Sequence, residues 1–120
     1  MTAARFWTAI VMALFLASAA RAADAPNGDP MKGRALYTAN GCAYCHGTAG
    51  QGGGGRTGGL RLAQMGIGYP AFLNQLRHPV NEMPPYVESA LSDQDVAHIQ
   101  AFVASLPPPP DVKSIPILNN

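Results

Sequence analysis

The densest reactive chemistry in the chain is the segment Cys42-Ala43-Tyr44-Cys45-His46. Two thiols stand three positions apart and an imidazole follows at once. This C-x-x-C-H pattern is the attachment signature of c-type haem. Thiols so spaced can reach the two vinyl groups on one side of a porphyrin and form thioethers. His46 then lies where a ring nitrogen can meet iron. Three other chemistries compete for the same residues. A thioredoxin-like dithiol expects a βαβ setting, and no strand pattern flanks the motif. A structural zinc site would need His78 or His98 as a further ligand, yet such sites favour two separated ligand pairs. A plain disulfide suits an exported chain. An exported, helical context with a histidine directly after the second cysteine favours haem over these three.

An iron held by His46 has a second axial position. Met31, Met65, Met83, His78 and His98 can supply it. Met83 opens Met83-Pro84-Pro85-Tyr86, where prolines reduce the freedom lost when a thioether is held in place. Histidine with methionine raises the reduction potential and fills both positions. Met31 falls in the first helix, and Met65 reads as core filler. His78 precedes Pro79 and reads as a surface or propionate-side residue, which makes a bis-histidine pair with His46 the main rival. His98 lies off the apolar stripe of its helix and reads as solvated.

The elements that must position these groups are short. Asp29-Pro30 gives an N-cap followed by proline at N1, and Asn40-Gly41 closes that helix. Gly33 and Tyr37 share one of its faces. Gly47 to Gly59 contains eight glycines in 13 residues and reads as a flexible solvent loop with many left-handed positions. It lacks the Walker pattern of a phosphate cradle. Leu60 to Met65 reads as a short helical turn. Tyr69-Pro70 opens a helix that ends before Pro79. Ser92-Asp93-Gln94-Asp95 resembles a capping box with Asp in place of Glu. Val96, Ile99, Phe102, Val103 and Leu106 follow at helical spacing. Ala23 to Gly28 reads as a loose lead-in.

Composition limits the remaining possibilities. Of 120 residues, 48% are hydrophobic and 12% charged, which excludes a charge-rich disordered chain. A net charge of +1 excludes a strongly basic nucleic-acid binder. Two cysteines are too few for a multi-disulfide scaffold. Met1 to Ala22 reads as a secretory signal, with Arg5, an apolar run from Phe6 to Ala20, and Ala20-Arg21-Ala22 as a cleavage site. The run of 15 residues is shorter than the ~20 that span a bilayer, so cleavage is favoured over a retained anchor. Cleavage leaves 98 residues with six basic and seven acidic side chains. Residues 23–106 then form the domain and 107–120 a proline-rich tail. The apolar Ile115-Pro116-Ile117-Leu118 segment either docks on a partner or folds back. So little apolar material in so short a domain calls for a cofactor or a staple.

Gly33, Tyr37, Cys42-x-x-Cys45-His46, Met83-Pro84-Pro85-Tyr86 and the Ser92–Leu106 helix together resemble a class I cytochrome c. The resemblance covers about residues 29–106. It implies an all-α fold of three to four short helices around one covalently bound haem c. It implies that the first and last helices cross at Gly33, with Tyr37 and Phe102 nearby. It places the axial methionine at Met83. That family commonly fixes the haem histidine through a proline carbonyl, but no proline occurs between His46 and Pro70. A carbonyl near Gly59 or Leu60 is the expected substitute. Tyr69 and Arg77 are candidate propionate partners, or equally a core aromatic and a solvated helix position. Leu60, Leu62, Phe72, Leu76 and Tyr86 are candidates for the haem wall. The implied role is a periplasmic one-electron carrier, not an enzyme, working between redox proteins of a respiratory chain. Its partners would be a donor and an acceptor such as a periplasmic dehydrogenase or a terminal oxidase. No nucleic acid and no membrane span after signal cleavage are expected. Two other readings are a subunit of a dehydrogenase complex and a haem enzyme or gas sensor with a vacated distal site.

Overall fold

A computed structural model describes residues 25–54 and 58–118. The secretory signal expected over residues 1–22 lies outside them. The described residues form four α-helices: α1 (Pro30–Ala39), α2 (Cys42–His46), α3 (Tyr69–Arg77) and α4 (Asp93–Ser105). They contain no strand. None of these helices is long and apolar enough to cross a membrane.

Each helix boundary follows from local chemistry. The Asp29 carboxylate accepts from the backbone N–H of Met31 at 2.9 Å and of Lys32 at 3.3 Å, which satisfies donors that the first turn leaves open. Those two bonds hold its carboxyl below the usual carboxylate value. Gly41 adopts a left-handed φ of 78° after Asn40 and so ends α1. The Ser92/Asp95 capping box of α4 is closed in both directions. Aspartate, one methylene shorter than glutamate, still reaches the Ser92 N–H at 3.2 Å.

The core lies where α1 crosses α4. Gly33 and Tyr37 are the buried residues of α1. Of the stripe read from the sequence, Val96, Ile99, Phe102 and Val103 are buried in α4 beside Ala97, and Leu106 is buried at its C-cap. A Cβ added at Gly33 would stand 1.9 Å from the His98 carbonyl oxygen, so only glycine allows the two backbones this close. Below that point the Tyr37 and Phe102 rings meet edge-on, with centroids 5.3 Å apart. Tyr69, Phe72 and Leu76 of α3, with Ala63 and Leu91, complete the core.

Several local expectations need correction. The lead-in to α1 is tied down: the Gln94 side chain donates to the Asn27 carbonyl at 2.8 Å, and the Asp29 N–H donates to His98 Nδ1 at 2.8 Å. His98 is therefore half-buried rather than solvated, because α1 covers a wider arc of α4 than the apolar periodicity marks. Residues 60–65 make one turn and no helix. Gln64 there has a left-handed φ of 63°, which helical propagation does not allow. Met65 is 38% exposed, and Ala63 takes the buried place beside it. In the tail, the 3₁₀ turns Val112–Ser114 and Pro116–Leu118 pack against each other.

Candidate functional site

Between Gly41 and Gly47, both at a positive φ of 78°, there is room for little more than one helical turn. That turn is α2. At 3.6 residues per turn, Cys42, Cys45 and His46 fall within about 100° of arc, so all three side chains leave one side of it. Cys42 and Cys45 are free thiols, so the disulfide alternative is not realised. Among the described residues no group of three His, Cys, Asp or Glu side chains stands close enough together to hold a metal ion.

Two tyrosines pin this turn to the rest of the molecule. The Tyr37 hydroxyl donates to the Gly47 carbonyl at 2.7 Å, just beyond His46. The Tyr86 hydroxyl donates to the Asn40 carbonyl at 2.8 Å, just before Cys42. Burial, and then the neighbouring Cys42, pushes both phenols up to about 12, so both remain neutral donors. Burial also pushes the Cys42 thiol up, against the opposing effect of the adjacent Tyr86 hydroxyl.

The glycine-rich stretch is not a loose solvent loop in its described parts. Gly52 N–H donates to the His46 carbonyl at 2.8 Å and Gly54 N–H to the Cys45 carbonyl at 3.0 Å. Gly53 N–H donates to the Gly59 carbonyl at 2.9 Å. The chain thus wraps the exit of α2 and returns against it. A Cβ at Gly59 would lie 2.4 Å from the Cys45 carbonyl oxygen, so the glycine there serves close approach. The wrap delivers the Leu60 carbonyl to His46 Nδ1 at 2.8 Å, which is the substitute acceptor expected near Gly59 or Leu60. A carbonyl can only accept. In the neutral ring, Nδ1 therefore carries the hydrogen and Nε2 presents a lone pair. That is the state a metal-binding imidazole needs.

Met83 is half-buried against the core. Its segment is fastened to α3 twice: Tyr86 N–H donates to the Leu76 carbonyl at 2.9 Å, and Arg77 Nη1 donates to the Tyr86 carbonyl at 2.7 Å. The Met83 sulfur accepts from Gln75 Nε2 at 3.7 Å. Of the other candidates, His78 is exposed, Met31 is 75% exposed, and His98 is engaged by the Asp29 N–H.

Arg77 and Tyr69 are both engaged within the protein. Besides Tyr86, Arg77 binds the Leu91 carbonyl at 2.9 Å and the Asp93 carboxylate at 2.6 Å. Tyr69 is a core aromatic whose hydroxyl donates to the Asp93 carbonyl at 2.9 Å. Arg77→Leu is expected to cost about 2–3 kcal/mol, since half-buried carbonyls lose their donor, while the ion pair with half-exposed Asp93 adds little. Denaturant unfolding measures it, and an unchanged midpoint would show that the network is idle. Of the proposed wall residues, Phe72 and Leu76 are buried, Leu62 and Tyr86 half-buried, and Leu60 is 72% exposed.

Two roles escaped sequence reading. The tyrosine hydroxyls signal only that buried phenols seek acceptors, not which ones. Gln75 carries no signal at all, because nothing in the residues between it and Met83 fixes how the chain returns.

The donor set fits covalent haem: two free thiols and a histidine of fixed tautomer on one side of a single turn. No curated protein and no solved structure matches the chain. A family model described as cytochrome c oxidase, cbb3-type, subunit III matches residues 28–103. The all-helical fold, the C-x-x-C-H turn and this match over most of the chain agree, and the chain belongs to that family: it is a c-type cytochrome, whose domain binds haem covalently and transfers electrons through it.

Proposed function

We propose that this cytochrome is an exported one-electron carrier with a single haem c, His46 and Met83 as axial ligands, and Cys42 and Cys45 as the thioether positions. The observation that carries this reading is the His46 ring, whose Nδ1 is held by the Leu60 carbonyl at 2.8 Å. When bound, haem supplies an iron that alternates between ferrous and ferric. The chain's own residues do the rest. Tyr37 and Tyr86 fix the two ends of the attachment turn. The Leu60 carbonyl orients His46 and makes it a better donor. Arg77 and Leu76 hold the Met83 segment, which lowers the entropy lost on ligation. Two protein ligands leave no open iron site, the arrangement suited to outer-sphere transfer rather than to catalysis on a bound substrate. Partners would then meet the protein through a small, transient interface. Residues 1–22 would direct export and be removed, leaving a domain over 23–106 and a tail over 107–120.

The family's description favours a second assembly state, in which the same domain works as a subunit that hands electrons to a terminal oxidase. A dehydrogenase complex would use the same chemistry. One experiment tests the common core. The protein is made in a host able to attach haem, then weighed and scanned as ferric and ferrous forms. The expected result is one covalent haem, a chain beginning after Ala22, a sulfur-to-iron charge-transfer band, and no carbon monoxide adduct at neutral pH. Ready carbon monoxide binding would shift the reading to a haem enzyme or gas sensor.

A further inference from the structure

Gln75 lies two residues before the C-terminus of α3, and its side chain reaches the thioether of Met83. The contact runs from Nε2 to Sδ at 3.7 Å, within the range of a hydrogen bond to sulfur. Amide nitrogens are donors and a thioether is a weak acceptor, so the direction is fixed. The neighbouring attachments keep the pair in register. Tyr86, three residues beyond Met83, is bonded to Leu76 and to Arg77, the two residues after Gln75. One edge of α3 is therefore a template along which the methionine segment is laid. The Met83 sulfur has two lone pairs. A donor on one of them leaves the other for a metal and fixes its direction.

We propose that Gln75 is a positioning residue for Met83: its Nε2–H orients the thioether and withdraws electron density from it. This rests on Met83 being the second iron ligand. A sulfur that has given density to an N–H is a poorer donor to ferric iron, so Gln75 favours the ferrous state. Removing the donor therefore shifts the equilibrium toward the ferric form.

The test uses the haem-loaded full protein and the variants Gln75→Leu and Gln75→Glu, with Met83→Ala as control. Leucine keeps the volume and loses the donor. Glutamate keeps the shape and, when ionised, can only accept. At a fixed ambient potential near the midpoint, Gln75→Leu should change the ferrous-to-ferric ratio about threefold toward ferric, equivalent to ~30 mV for a one-electron couple. Its charge-transfer band should weaken or move. Gln75→Glu should be at least as ferric at neutral pH. On acidification through its carboxyl titration it should rise above the leucine variant, because only the protonated acid regains a donor. A purely structural role for Gln75 would not produce that crossing. If both variants keep the wild-type ratio and band at all pH values, the proposal is overturned while Met83 ligation stands. If wild type and Met83→Ala have the same spectrum, Met83 is not the ligand, and both ideas fall together. Thermal melts of both Gln75 variants identify any loss due to unfolding.

Discussion

Gly33→Ala is expected to destabilise this protein by about 3 kcal/mol or more, although the same change in an exposed helix would stabilise by about 1 kcal/mol. The sign reverses because of where the new methyl would go. It would meet the His98 carbonyl oxygen at 1.9 Å, its carbon at 2.5 Å and Phe102 Cβ at 2.9 Å. Two of those atoms are backbone of α4, so no rotamer change relieves the clash. The helices must separate, and the Tyr37–Phe102 ring contact opens with them. In a domain of this size the melting temperature should fall by more than about 10 °C. The effect should reach the proposed haem site as well. Tyr37 holds the Gly47 carbonyl through its hydroxyl, so displacing α1 loosens the exit of the attachment turn. Calorimetry with and without haem measures the loss. A Gly33→Ala protein that melts at or above the wild-type temperature would show that the crossing is not close-packed.

Met83→Ala should have the largest effect on function. On the proposed ligation, removing the thioether should abolish the sulfur-to-iron band and let the ferrous protein bind carbon monoxide at neutral pH. The midpoint potential should fall by on the order of a tenth of a volt or more, since axial-ligand identity spans roughly 0.8 V across haem proteins. The fold should largely persist. Tyr86, Arg77 and Leu76 fasten the segment independently of the methionine side chain. Met83 is half-buried, so the cavity cost lies at the low end for methionine truncation, about 2 kcal/mol. A Met83→Ala protein that keeps its potential and still excludes carbon monoxide would exclude Met83 as the ligand. His78→Ala would then be the next variant to examine.

The residues differ in how much they disclose from sequence. Asp29-Pro30, Asn40-Gly41 and the Ser92/Asp95 box act through neighbours a few positions away, so the bounds of α1 and α4 were legible. The Cys42-x-x-Cys45-His46 motif was legible for the same reason: its spacing lies within five residues. His98 was misread because its partner, the Asp29 N–H, lies 69 positions away. The solvated alternative for Arg77 failed similarly. Its acceptors are the Tyr86 and Leu91 carbonyls and Asp93, and main-chain acceptors leave no trace in residue type. The glycine stretch was legible in composition and not in form. Glycine permits both a mobile loop and a tight wrap, and only the bonds back to the Cys45 and His46 carbonyls decide between them. Residues 60–65 failed for one reason, a left-handed Gln64 in a stretch whose side chains favour a helical turn.

The group that sets the tautomer of His46 is main chain. Whatever replaces the solvent-facing leucine at position 60 would still offer the same oxygen to the imidazole. An alanine scan, which edits only what hangs from the backbone, is therefore blind to this bond. Control over it rests instead with the length and curvature of the glycine wrap. Insertions and deletions there, rather than substitutions, are the changes through which such a protein could drift in redox character.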